Sequence, residues 1–293
     1  MFGQVVTAML TPFNDQGKVN LELAGRLAVH LVEQGSDTIL LAGTTGESPT
    51  LTHYEEAALF KHVVKELKGK AKVMAGTGSN CTATAVKASK IAEDCGVSSL
   101  LQVTPYYNKP SQEGMKAHFE AVADAVSLPI MLYNIPGRTS ISLDCKTLVS
   151  LSQHDQIVAI KEASGSREIV AQLAQNLPQD FLIYSGDDAL TLDFLEEGAC
   201  GVVSVASHLV GPDLQDMITF FKSGNKKAAL EIHQRLESLF SVLFITSNPV
   251  PLKAAMTLKG FEVGGPRLPL LSASDDEVLA VKRVLQDLSL LND

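Results

Sequence analysis

The chain has 293 residues but no tryptophan, and only 5% of it is aromatic. Its four cysteines, Cys81, Cys95, Cys145 and Cys200, are scattered and form no CxxC pair. That spacing speaks against a disulfide framework and a structural zinc, and it suits a reducing, cytoplasmic setting. Clusters of Lys and Arg are missing too, and the formal net charge is -9. Nucleic acid and anionic membranes select a clustered basic face, so neither is expected as a main partner. No apolar run much exceeds strand length, well short of the roughly 20 residues that cross a bilayer. The N-terminus MFGQVVTAML lacks the charged n-region and long apolar core of a secretory signal, and is read as mature sequence. No GxGxxG follows the first apolar run, which removes the dinucleotide fingerprint of an open doubly wound sheet.

What is present is an alternation. Eight short apolar, β-branched runs occur at 4–10, 37–43, 71–76, 98–104, 129–134, 157–163, 181–186 and 201–207. Between them lie stretches of helical period, such as 21–35 and 53–69, several of which begin at a capping residue like Thr52 or Ser111. Repeated βα units imply a parallel sheet, and eight of them close most economically as an α/β fold of the (β/α)8 TIM barrel type. From about 224 onward only helical period remains, which predicts a barrel over 1–223 and a C-terminal all-helical domain over 224–293. No Gly/Ser or Pro linker separates the two.

Barrel enzymes place their chemistry at the C-terminal ends of the strands. Strand 2 ends in GTTGES at 43–48, where Thr44, Thr45 and nearby backbone N–H groups can converge on a small carboxylate. Strand 4 ends in TPYYNKP, with Tyr106 and Tyr107 adjacent. Strand 5 ends in YNIPGRT, which puts Tyr133 at the mouth and Arg138 on the following loop. Strand 6, IVAIKEASG at 157–165, closes a buried run on Lys161. Strand 7 ends in YSGDD, where Gly186 permits close approach and Asp187 and Asp188 read as caps of the next helix.

Taken singly, each of these has an ordinary reading: a capped loop, an aromatic rim, a core tyrosine, a surface ion pair, a snorkelling lysine. Together they are the parts for Schiff-base chemistry on a keto acid, because a dry site holds the lysine neutral and a phenol can carry the protons. A metal-dependent aldolase would need several histidines at strand ends, and only His208 lies there, so no metal and no other cofactor is expected. By strand alternation Glu162 faces away from Lys161 and is expected to be a structural partner.

GTTGES, TPYYNKP, YNIPGRT and the lysine of IVAIKEASG, in that order, resemble the class I pyruvate aldolases of the N-acetylneuraminate lyase superfamily, and most closely their dihydrodipicolinate synthase branch. The resemblance runs from VVTAMLTPF at 5–13 to GPRLPL at 265–270. It implies a homotetramer built as a dimer of dimers that condenses pyruvate with L-aspartate 4-semialdehyde in lysine (diaminopimelate) biosynthesis. Carried onto this sequence, Lys161 would form the Schiff base and Tyr133 would donate and accept protons. Thr44 and Tyr107 would complete a relay, with Tyr107 reaching across from a neighbouring subunit. Thr45, Gly186 and the backbone at Val203 would hold pyruvate, and Arg138 would receive the semialdehyde carboxylate. A sugar-acid or N-acetylneuraminate aldolase is the alternative within the same superfamily. Ser48, His53, Asn80 and Tyr106 resemble a feedback site for L-lysine. Glu56 and Thr84 depart from the pattern of sensitive bacterial members, which implies weak or absent inhibition.

Overall fold

The computed structural model describes residues 1–291, so the last two residues of the expected helical domain lie outside the described part. Eight parallel strands close a barrel in sequence order. They are β1 (Val5–Ala8), β2 (Thr38–Leu41), β3 (Lys72–Gly76), β4 (Ser99–Val103), β5 (Ile130–Asn134), β6 (Ile157–Glu162), β7 (Leu182–Ser185) and β8 (Gly201–Ser204). Closure comes from β1 and β8, where Val6 lies opposite Val203. Each falls within a run anticipated from sequence. The eighth is shorter, because the chain turns into helix at Ser207.

The helices between and after the strands are α1 (Leu21–Glu33), α2 (His53–Leu67), α3 (Thr82–Asp94), α4 (Gln112–Ala123), the short α5 (Pro136–Thr139), α6 (Cys145–Leu151), α7 (Arg167–Asn176), α8 (Thr191–Glu196) and α9 (Ser207–Lys222). Their starts follow local chemistry. Thr52 and Glu55 form a reciprocal capping box on α2, while Asn20 caps α1 and Ser111 caps α4. In α9 the backbone leaves helical geometry at Val210, two residues before Pro212, whose missing N–H and ring prevent a regular turn there.

Period-two alternation divides the apolar residues into two cores. Val6, Leu40, Met74, Leu101, Met131, Ala159, Tyr184 and Val203 point inward and fill the barrel. Their neighbours point outward and pack against the helices in a larger core that continues into the C-terminal segment. That segment contributes α10 (Lys226–Val242), α11 (Val250–Leu258) and α12 (Asp275–Asp287). The loop after β2 is tied to it by a buried ion pair, Lys253 Nζ to Glu47 Oε1 at 2.8 Å. Arg267 reinforces the tie, its backbone N–H donating to Glu47 Oε2 at 2.8 Å.

Candidate active site

Strands β5 and β6 run in register at their C-terminal ends, so Tyr133 lies opposite Lys161 and Asn134 opposite Glu162. Alternation then sends the first pair to the barrel interior and the second to the helix layer. The Lys161 Nζ sits 4.1 Å from the centre of the Tyr133 ring. Lys161 is 7% exposed. Burial pulls its ammonium down to about 8, helped by the Arg138 charge and opposed by Asp188 and Asp187. At pH 7 about a tenth of such a lysine is neutral, against about 0.03% of an ordinary one. The Tyr133 phenol is pushed up to about 12, again by burial, with Arg138 and the Thr44 hydroxyl favouring the ionised form more weakly. It stays protonated at neutral pH and can donate.

Gly186 has a steric reason to be glycine. A Cβ there would lie 2.7 Å from the Ala163 Cβ and 3.0 Å from the Lys161 Cε, so any side chain would push on the lysine. Glu162, fully buried, accepts from Asn134 Nδ2 at 2.9 Å and from the Ser164 N–H at 2.7 Å. It is a structural partner, as strand alternation anticipates. Asp188 differs from its expected role as a cap of the next helix. No side chain caps α8, which begins after Leu190. The buried Asp188 carboxylate instead accepts from the Ser204 hydroxyl and from the N–H groups of Val205 and Ala206 at 3.0 and 2.9 Å, closing the turn from β8 into α9. His208, the histidine expected at a strand end, lies in the first turn of α9 and is structural: its Nε2 accepts from Leu10 N–H at 3.2 Å and its Nδ1 faces the Val205 carbonyl at 2.8 Å. Burial lowers its pKa to about 4, so it stays neutral.

A cavity of about 340 Å³ is lined by Thr44, Tyr133 and Arg138, while Lys161, Thr45, Gly186 and Val203 lie outside its wall. The same cavity extends to Ser48, His53, Glu56, Thr84 and Tyr106. Asn80 lies off its wall, with its carbonyl accepting from Asn108 Nδ2 at 2.8 Å. Glu56 is already engaged, by the Ser48 hydroxyl at 3.3 Å and by His53 Nδ1 at 2.9 Å. Burial raises its pKa against those partners. Val203 faces the barrel interior among Tyr133 and Tyr184. Thr45 is buried under the loop, where its hydroxyl accepts from Asn248 Nδ2 at 2.9 Å. Sequence reading missed Asn248, which lies in the C-terminal helical segment.

Tyr107 points away from the barrel mouth in the single chain. It is 89% exposed. Its φ of 74° is left-handed, a conformation that is costly for a bulky side chain and that turns this residue outward from the strand end.

A closed eight-stranded α/β barrel that buries a lysine of lowered pKa against a tyrosine at its mouth defines a class: the barrel lyases of class I aldolase type. Residues 1–288 match the model of the dihydrodipicolinate synthetase family, and the chain belongs to that family. A 4-hydroxy-tetrahydrodipicolinate synthase of Acaryochloris marina is 54% identical over 291 residues, which is 99% of both chains. The corresponding protein of Desulforamulus reducens is 51% identical over 99% of this chain and 98% of its own. Among solved structures, one from Cyanidioschyzon merolae, described with lysine bound, superposes with a TM-score of 0.98 at 48% identity over 99% of both chains. The synthase of Methylacidiphilum fumariolicum gives 0.96 at 42% identity, covering 99% of this chain and 96% of that one.

Proposed function

We infer that this chain condenses pyruvate with L-aspartate 4-semialdehyde to give 4-hydroxy-tetrahydrodipicolinate, the reaction for which its relatives are named. The observation that carries the reading is the Lys161 amine held 4.1 Å from the Tyr133 ring in a site that lowers its pKa to about 8. The neutral amine attacks the pyruvate carbonyl, and loss of water leaves an iminium on Lys161. The iminium accepts the electron pair released when a methyl proton leaves, and the resulting enamine attacks the aldehyde carbon. The new alkoxide takes a proton, and Tyr133 is assigned the delivery and recovery of protons in the condensation. The semialdehyde amine can then attack the iminium carbon and displace Lys161, which closes a six-membered ring and regenerates the enzyme.

Thr44 is assigned to the proton relay, Thr45, Gly186 and the Val203 backbone to pyruvate, and Arg138 to the carboxylate of the second substrate. Tyr107, exposed on a strained backbone, is assigned to the site of a second copy, which makes a dimer the functional unit within a homotetramer. We propose residues 224–293 as a helical domain docked on a 1–223 barrel, and the cytoplasm as the compartment. Ser48, His53, Glu56, Asn80, Thr84 and Tyr106 are proposed as an L-lysine site. Glu56 is its one carboxylate, and that group is buried and bonded to His53 and Ser48, which supports weak inhibition. A low-micromolar inhibition constant would overturn that weakness.

Borohydride reduction in the presence of pyruvate, followed by peptide mass spectrometry, is expected to place the adduct on Lys161. A coupled assay with both substrates and a chelator is expected to show full turnover. An adduct elsewhere, or none, sinks the mechanism, and turnover that disappears with chelator sinks the metal-free route.

A further inference from the structure

Thr45 is 3% exposed and Asn248, more than two hundred residues later, is 6% exposed. Their side chains meet at 2.9 Å, with the Asn248 amide Nδ2 donating to the Thr45 Oγ1. A hydroxyl carries one proton and two lone pairs. An amide donor that occupies a lone pair leaves the proton of Thr45 uncommitted, and among the described residues it has no protein acceptor. A carboxylate is an acceptor only, so it needs the hydroxyl to be set as a donor. Turning the Asn248 amide over would spend the proton on Oδ1 and present a lone pair to the anion.

We propose that Asn248 is a positioning residue that reaches from the helical segment under the barrel mouth and sets the Thr45 hydroxyl as a proton donor to the keto-acid carboxylate. The proposal rests on the reading of Thr45 as a pyruvate-binding residue. The contact is not an accident of a loose loop. Five residues beyond Asn248, on α11, Lys253 holds Glu47, two residues beyond Thr45, through the 2.8 Å ion pair. Two contacts, one from the turn before α11 and one from α11 itself, therefore tie the loop to the helical segment. Asn248 supplies the one that carries polarity.

The test is steady-state kinetics with pyruvate varied at saturating semialdehyde, on T45V, N248A, N248D and T45V/N248A, each checked by thermal unfolding. Loss of one hydrogen bond to a charged ligand is expected to raise the pyruvate KM of N248A by about tenfold, with kcat and the semialdehyde KM within about twofold. N248D, the same size but able only to accept from Thr45, is expected to be worse than N248A, because it takes the proton and adds a like charge. T45V/N248A is expected to match T45V, since Asn248 acts through that hydroxyl. Equal effects of N248A and N248D, or multiplying effects in the double variant, overturn the proposal. A pyruvate KM that rises in T45V and not in N248A overturns it while leaving the reading of Thr45 intact. An unchanged KM in T45V overturns both.

Discussion

Two lysines in this chain are buried against aromatic rings at almost the same distance. Lys161 lies 4.1 Å from the Tyr133 ring and Lys253 lies 4.2 Å from the Phe13 ring. They are 7% and 3% exposed. Burial lowers the pKa of both. What separates them is the anion. Lys253 touches the Glu47 carboxylate at 2.8 Å and also donates to the Gly265 carbonyl at 3.1 Å. Among the described residues no carboxylate lies within 4.0 Å of the Lys161 nitrogen, and the nearby acids Asp188 and Asp187 only weaken the effect of burial. The Asp188 carboxylate is moreover committed to the turn after β8. A paired buried amine is a structural cation, whereas an unpaired one is a nucleophile waiting to lose its proton.

The sharpest break in this comparison is K161M. Pyruvate trapping and turnover are expected to vanish, with at least about a thousandfold loss of kcat/KM, since no other amine can take the covalent role. The fold should gain. Because the folded-state pKa lies below the unfolded value, wild type is destabilised wherever the buried amine is charged, fully below about pH 8, and the penalty fades as pH rises toward 10.5. Thermal unfolding at pH 7 should find K161M more stable, by on the order of 3 kcal/mol at most. A variant less stable than wild type would mean that the unpaired amine is not a burden. Y133F makes the two rings alike. Schiff-base formation should survive, because the apolar wall remains, while turnover drops by about 10²- to 10⁴-fold through loss of the proton carrier. Single-turnover trapping compared with steady-state rates separates the two, and an unchanged turnover would remove Tyr133 from the mechanism.

K253M attacks the other member of the comparison. Removing one partner of a buried pair leaves Glu47 uncompensated and is expected to cost about 3 to 5 kcal/mol, read as a fall in Tm. Replacing both groups with K253M/E47L should recover part of that loss, less the hydrogen bond that Glu47 accepts from the Arg267 N–H. The folded fraction should still trap pyruvate on Lys161. If K253M unfolds no more readily than wild type, the ion pair is not what holds the loop after β2.

The barrel itself was legible because each of its parts is local. Eight β-branched runs spaced by helical period declare eight strands, and period two alone separates Lys161 and Tyr133 from Glu162 and Asn134. Resemblance then supplied the roles. What the sequence hid is contact across distance. Asp188 reads as a cap for the helix that follows it, but its partners Ser204, Val205 and Ala206 lie on the next strand and turn. Lys253 and Asn248 sit in a stretch whose helical period gives no sign that one pairs with Glu47 and the other with Thr45. The left-handed backbone at Tyr107 is likewise silent in the letters TPYYNKP. Side chains that act within one strand or one turn were readable, while those whose partner is fixed only by closure of the barrel were not.

The smallest expected effect is the most specific, because it separates the two lysines by titration alone. If Lys161 attacks as the free amine, the rate of pyruvate adduct formation rises with pH through an apparent pKa near 8. Between pH 7 and pH 9 the neutral fraction grows about tenfold, and the trapping rate should follow it. The direction is fixed by charge: a cation disfavoured by burial loses its proton at lower pH than an exposed lysine does. Lys253 should contribute nothing to this limb, so the profile of K253M should overlay that of wild type. Initial rates of borohydride trapping at fixed low pyruvate, measured across that range, would show the limb. A rate that keeps rising toward pH 10.5 would return Lys161 to the ordinary range and remove the distinction between the two amines.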